Sequence, residues 1–520
     1  MKNPLLLLAL GSLLIGSCRS TRSPAPARFV EGIILHLNDV YEITPLDSGR
    51  VGGMARVATI RQQLLAENPN VLTVLDGDFL SPSALGFIAG PDGKPMKGRQ
   101  MVDVMNTLGV DLVNFGNHEF DLDGTGVLLQ QRIDESRFAW VSSNVFQKNG
   151  TVIGPFSKQI TATRRAYFPK NFVWTLRNAP GDSARIGFFA VCLDANKTNY
   201  VHYDDVMTTA RQQTDSLRPR TEGIVGLTHI NVRDDSLLAG QLSGVALLIG
   251  GHDHTSLRFR HHGVVVAKAD ANAKSVYIHR LRYDPTTRQL GVRSELRRVT
   301  DAIPSEPKTD SVVRYWMGVA RASLQKAGFA ADSTVTTLFE SLDGTDAANR
   351  YRPTALGEVI AEAMLAAVPA TDHADLAFFN SGSIRIDDQL AGRVTEFDLF
   401  RILPYGSPFV TVELPGVALR AVLDEGRSKL GNGGYLQGCR VSRTNGDWSV
   451  AGQPLDTGRV YRAVVSEYLL SENQADNLTL KKMPASARQP VSSINQNDPA
   501  DLRNDIRKAL RAYWRGSGKH

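Results

Sequence analysis

The chain has 520 residues, 42% hydrophobic and 22% charged, which excludes a disordered or repetitive polypeptide and suits two or three globular domains. Its 59 basic and 53 acidic residues leave a formal charge of +6 with no run of like charge. That balance argues against a nucleic-acid partner, while a weak positive field favours an anionic substrate.

At the N-terminus, Lys2 precedes an apolar run from Pro4 to Ile15, too short to span a bilayer and of the length of a signal-peptide core. The run ends in Leu14-Ile15-Gly16-Ser17-Cys18, which resembles the bacterial lipoprotein cleavage box; a plain secretory signal that happens to contain Cys is the alternative. Both predict export to the periplasm or cell envelope; the first makes 1–18 a lipoprotein-type signal peptide whose Cys18 becomes the first mature residue and, lipidated, the only membrane contact, with 19–28 a polar tether. The remaining Cys192 and Cys439 are far apart and imply no disulfide framework.

From Ile33 to about Arg298, short apolar runs alternate with amphipathic segments, the pattern of an α/β domain. Predicted strands are Ile33–Leu37, Val71–Leu75, Asp111–Phe115, Ala139–Asn144, Ile186–Leu193, Ile224–Thr228, Ala246–Ile249 and Val264–Ala267. Met54, Val57, Ile60 and Leu64, and then Met101, Val102, Met105 and Leu108, recur at helical spacing, so helices cover the sheet.

Polar residues follow five of these strands: Asn38-Asp39-Val40-Tyr41, Asp76-Gly77-Asp78, Asn117-His118, Thr228-His229 and Gly250-Gly251-His252-Asp253-His254. A single Asp or His at a strand end is usually a turn former. Five in one domain point to a metal site at the carboxyl edge of the sheet, where open α/β sheets build their sites. Two divalent cations need a bridging oxygen ligand, terminal imidazole and carboxylate ligands, and an open position. Asp78 is the expected bridge, Asp39 belongs to the first site, and Asn117 and His229 complete the second. His252 and His254, at i and i+2, can serve different metals. His118 is the expected proton donor to the leaving oxygen, held by Asp121.

The motifs HLNDVY, DGDFLS, GNHEFD, LTH and GGHDHT, in this order, resemble the calcineurin-type metallophosphoesterase domain of the 5′-nucleotidase family. The resemblance implies a four-layer αββα sandwich over residues 29–300 with a centre of two divalent metal ions, Zn, Mn or similar. One position departs: the family's first motif reads Asp-x-His, and here the third residue is Tyr41, a poor ligand as a neutral phenol. A first site that is weaker, or that prefers another metal, is expected.

Residues 301–332 read as a connecting helix carrying Val312, Val313, Trp316, Val319 and Leu324. The family joins two mutually rotating domains through such a linker; a helix packed permanently on one domain fits the spacing equally well. Residues 333–515 are again mixed α/β, with a helix from Thr354, strands at Leu376–Phe379, Val410–Leu414 and Tyr461–Val465, and an amphipathic helix from Asp498. This part resembles the family's nucleotide-binding domain. Asn380-Ser381-Gly382-Ser383-Ile384-Arg385 matches Asn-x-Gly-x-Ile-Arg, whose Arg grips phosphate, Arg350 matches a second phosphate-binding Arg, and Tyr405 lies where an aromatic stacks on the base. A second departure follows Tyr468, where the family's Gly-Gly-Asp-Gly loop is replaced by a stretch without glycine, leaving Asp476 as the candidate for the ribose.

The sequence therefore reads as an exported, metal-dependent phosphohydrolase acting on nucleotide phosphomonoesters through a water that two metals activate. The alternatives are a 2′,3′-cyclic-nucleotide phosphodiesterase, a nucleotide-sugar hydrolase, or a non-catalytic lipoprotein that binds nucleotides.

Overall fold

The computed structural model describes residues 29–517, apart from 180, 196, 197, 473, 475, 496, 497 and 499. The signal peptide with Cys18 and the tether read at 19–28 lie outside the described residues.

Strand β1 (Val30–Leu37), helix α1 (Met54–Glu67), strand β2 (Val71–Asp76), helix α2 (Arg99–Leu108) and strands β3 (Leu112–Asn114) and β4 (Ala139–Trp140) build the first sheet. β1 to β4 run parallel in that order. The second sheet comprises β5 (Asn171–Arg177), β6 (Ser183–Cys192), β7 (Gly223–His229), β8 (Val245–Gly250), β9 (Leu257–His261) and β10 (Val264–Lys268), in the order β5-β6-β7-β8-β10-β9. Its four central strands, β6, β7, β8 and β10, are also parallel. The chain then returns through the hairpin β11 (Ser275–Asp284) and β12 (Gln289–Arg298), and β11 pairs antiparallel with β1.

The alternation of β1 explains the layering. Ile33, Leu35 and Leu37 join the cluster beneath α1 and α2, whereas Ile34 joins Val74, Leu112, Phe188, Leu227 and Leu247 between the two sheets. On the far side, Phe189 and Leu248 of the second sheet pack against Ala210 and Leu217 of α3 (Val206–Leu217) and Leu238 of α4 (Val232–Gln241). The result is the four-layer αββα sandwich, and both parallel sets present their carboxyl ends to one edge. Of the strands in these two sheets absent from the sequence reading, β5, β9 and β12 are largely exposed or half-buried, and β11, though mostly buried, carries Arg280 and Arg282 within its apolar run.

Helix α5 (Pro307–Lys326) starts where the Glu306 carboxylate accepts the N–H groups of Lys308 and Thr309 at 3.0 and 2.7 Å. It packs on the first domain, where the Trp316 indole donates to Asp103 at 3.0 Å. Its carboxyl end and the following Phe329, Ala331 and Val335 continue the same cluster into the second half. There, β13 (Leu376–Asn380), β14 (Phe409–Pro415), β15 (Leu436–Cys439) and β16 (Val460–Ser466) form a sheet in the order β14-β16-β13-β15. The terminal helix begins at Ile506, not Asp498: the Asp501 carboxylate accepts from Arg503 N–H at 3.1 Å and pairs with its guanidinium at 2.7 Å, holding the preceding residues in a tight turn. Among the described residues no helix is long and apolar enough to cross a membrane.

Candidate active site

The carboxyl ends of β1, β2, β3, β7 and β8 bring Asp39, Asp78, Asn117, His229, His252 and His254 to one place. Ligand atoms of Asp78, His229 and His252 lie within 4.8 Å of one another, and so do those of Asp39, Asp78 and His254. Asp78 belongs to both sets, the position of a bridge, and the i, i+2 histidines divide between them. Asp39, Asp78, His252 and His254 all have positive φ, at 51°, 55°, 79° and 58°. Strain of this kind persists only where the surroundings over-determine it.

Glycine permits the approach of the loops. A Cβ on Gly116 would lie 2.2 Å from Asp78 Oδ1, and Gly77 has φ 73° with the Gly116 backbone against it. Glu119, at the heart of the GNHEFD motif, is buried and accepts the N–H groups of Asp78, Phe79, Leu80 and Gly116 at 2.7–3.1 Å, clamping the two loops together.

The residues present fit divalent cations. Asp39, Asp76 and Asp78 are fully buried, a concentration of negative charge that needs positive charge beside it. Burial pushes the His229 imidazole down, but Asp78, 3.2 Å away, and Asp39 more than reverse this, to about 10. His254 is likewise raised by Asp387 and Asp39 against the effect of burial, whereas burial and the neighbouring His229 lower His252 to about 4. Divalent ions held by these residues would supply the positive charge that the buried carboxylates need. The buried Asn117 Oδ1 has no hydrogen-bond partner among the described residues, and His229 donates from Nδ1 to the Asp76 carbonyl at 2.8 Å, which leaves Nε2 facing Asp78. Tyr41 occupies the first set: its buried hydroxyl donates to Asp78 Oδ2 at 3.0 Å and lies 3.2 Å from His254 Nε2, with burial and then Asp78 holding the phenol neutral. Beside the bridge, His118 Nδ1 is 2.5 Å from Asp121 Oδ2, and the His118 backbone N–H donates to Asp78 Oδ1 at 2.7 Å.

Residues 330–479 match the family model of the 5′-nucleotidase C-terminal domain. The 5′-nucleotidase of Bos taurus is 27% identical over 525 residues, covering 89% of this chain and 86% of its own, and the human 5′-nucleotidase is 27% identical over 89% and 85%. The chain is thus similar to 5′-nucleotidases along most of its length. Among solved structures, the 5′-nucleotidase precursor of Thermus thermophilus superposes with a TM-score of 0.72 at 21% identity, over 94% of this chain and 96% of that one, which shows the shared fold. The protein is thus a hydrolase of the metallophosphoesterase type.

The C-terminal residues that resemble the family's substrate contacts fall into two groups. Arg350 pairs with Asp346 at 2.5 Å, its Nε is buried without a partner among the described residues, and it lines a 350 Å³ cavity together with Asp78, His118, His252 and His254. Arg352 instead pairs with Asp343 at the surface. In the second group, the Arg385 guanidinium lies 5.8 Å from the Tyr405 ring, and Asn380 donates to Asp476 Oδ2 at 2.9 Å. Tyr468 also hydrogen-bonds to Asp476. The loop without glycine is braced by side chains: Gln474 donates to the Asn477 carbonyl at 2.7 Å and Asn477 to Val422 at 3.0 Å.

Sequence reasoning missed several residues. Phe87, in the short helix Ala84–Phe87, meets the Tyr405 ring edge-on with centroids 5.0 Å apart. Lys268, wholly buried, reaches Asp235 at 2.7 Å, Asp253, and the carbonyls of Ile230 and Gly251, and so ties the His229 loop to the loop of His252 and His254. Asp253, between the two histidines of the GGHDHT loop, was the one available signal for such a cation.

Proposed function

We propose that the protein hydrolyses the phosphomonoester of nucleoside 5′-monophosphates, with a metallophosphoesterase domain (29–300) and a substrate domain (333–515), joined through 301–332, meeting on one substrate. The observation that carries this reading is the convergence of two ligand sets on Asp78, beside the His118–Asp121 pair and in one cavity with Arg350. The two sets, Asp78, His229 and His252, and Asp39, Asp78 and His254, would hold two divalent ions, which would activate a water as nucleophile at neutral pH and offset charge on the phosphoryl oxygens. The guanidinium forks of Arg350 and Arg385 bind phosphate oxygens. Tyr405 and Tyr468 offer aromatic faces to the base, and Asp476, fixed by Asn380, accepts from ribose hydroxyls. With Nδ1 held by Asp121, His118 gives up a proton from Nε2 to the leaving nucleoside oxygen. The 5′-nucleotidases of Bos taurus and Thermus thermophilus support the substrate class by their names.

Phosphate release by the chain begun after Arg19 is the test. Release from 5′-AMP that a chelator abolishes and added Mn²⁺ or Zn²⁺ restores is expected. Ring opening of a 2′,3′-cyclic nucleotide to a nucleoside monophosphate, or cleavage of a nucleotide sugar into two phosphomonoesters, both followed by chromatography and without phosphate release from 5′-AMP, would replace the substrate class, and no hydrolysis of any of these under any divalent metal would favour the binding lipoprotein.

Tyr41 sets the character of the first site. Its neutral hydroxyl stands against the atoms of Asp78 and His254 that the first set offers. Tyr41→His adds an imidazole, so tighter binding of one of the two metal equivalents and a lower metal requirement for turnover are expected. Unchanged metal content and metal dependence in that variant would overturn the assignment.

A further inference from the structure

Histidine ligands act through one ring nitrogen and need an acceptor for the proton on the other, which fixes the ring and raises its basicity. His229 finds that acceptor in its own domain, at the Asp76 carbonyl. His254 does not. Its Nε2 faces the first ligand set, 3.4 Å from Asp39 Oδ1 and 3.2 Å from the Tyr41 hydroxyl, and its Nδ1 points out of the domain to Asp387 Oδ2 at 3.0 Å. Asp387 lies two residues after Arg385 in the C-terminal half. We propose that Asp387 is a positioning residue for the first metal, so that the ligand set of Asp39, Asp78 and His254 is complete only while the two halves of the chain are closed on each other. The proposal rests on the two-metal reading above.

The carboxylate is built to hold its place. Its Oδ1 accepts the Asp346 N–H at 3.0 Å, and the Asp387 carbonyl accepts from Lys274 Nζ, a residue of the N-terminal half, at 2.9 Å. The residue is 7% exposed. The Asp346 carboxylate stands 3.7 Å from the same Nδ1 and pairs with Arg350. One chain of contacts, His254 to Asp387 to Asp346 to Arg350, thereby joins the metal ligands to a guanidinium assigned to substrate phosphate. Opening the halves removes the acceptor from His254, while the other set, Asp78, His229 and His252, keeps all its partners within one domain.

Mn²⁺ titration of the metal-free chain, followed by calorimetry and electron paramagnetic resonance, tests this without recourse to turnover. The wild type should bind two ions and show the signal of a coupled pair. Asp387→Asn should weaken one equivalent by about 10–100-fold, leave the other unchanged, and replace the coupled signal by that of isolated ions at equal loading. Asp387→Glu, which keeps the charge, should recover part of the affinity, and it serves as the readout if the Asn variant does not fold. Superimposable isotherms and spectra of wild type and variants would overturn the positioning role and leave the two-metal reading standing. A wild type that binds fewer than two ions would overturn both.

Discussion

Lys268→Met is expected to destabilise the N-terminal domain by about 3–5 kcal/mol, the loss usual when one partner of a buried ion pair is removed. The methylene stem is nearly conserved in shape, so the effect isolates the charge. Asp235 is fully buried and Asp253 partly so, and both lose their counter-charge, as do the carbonyls of Ile230 and Gly251. Because Ile230 follows His229 and Gly251 precedes His252, the loss should also loosen both ligand loops and lower the metal content of the folded protein. Urea unfolding with metal analysis of the folded fraction reads both. A loss below about 1 kcal/mol, in the range of exposed pairs, would show that the network is not a structural clasp. The companion change Asp235→Asn should be milder, since Lys268 keeps Asp253 and two carbonyls.

His118→Asn should lower kcat by about 10²–10⁴-fold, the usual contribution of a positioned general acid, with metal content unchanged. His118 is in neither ligand set, and the backbone N–H that it donates to Asp78 is retained in the variant. Asp121→Asn should fall between wild type and this value, since the imidazole stays in place but loses the carboxylate at 2.5 Å that orients its ring. A substrate with a better leaving group should narrow the deficit of both variants, because protonation of the leaving oxygen then matters less. If the deficit persisted unchanged, His118 would be acting on phosphate binding instead of proton transfer.

What could be read from the chain alone was whatever is encoded locally. Apolar runs with period 2 and 3.6 located the central strands and the covering helices, and the candidate ligands stood out because they follow strands directly, within the same short motifs. The resemblance of those motifs named the family, and the order of the motifs implied the αββα layering. Even so, a local rule is strained at the site: Asp39, Asp78, His252 and His254 adopt the left-handed backbone conformation, uncommon outside glycine even though Asp and His tolerate it better than most.

The tertiary structure decided everything that depends on residues meeting from distant parts of the chain. His254 and Asp387 are 133 positions apart, Phe87 and Tyr405 come from different halves, and Lys268 reaches four partners in helix α4 and two loops. The loop after Tyr468 is the clearest contrast. Its lack of glycine speaks against a close backbone approach to a ligand; among the described residues, the side-chain amides of Gln474 and Asn477 make hydrogen bonds that only the folded chain reveals, and Asp476 lies beside Asn380. Periodicity records which face of an element is buried but not what that face is buried against. The partner of a buried charge is set by how two sheets and a second domain pack, and that packing is a property of the whole chain.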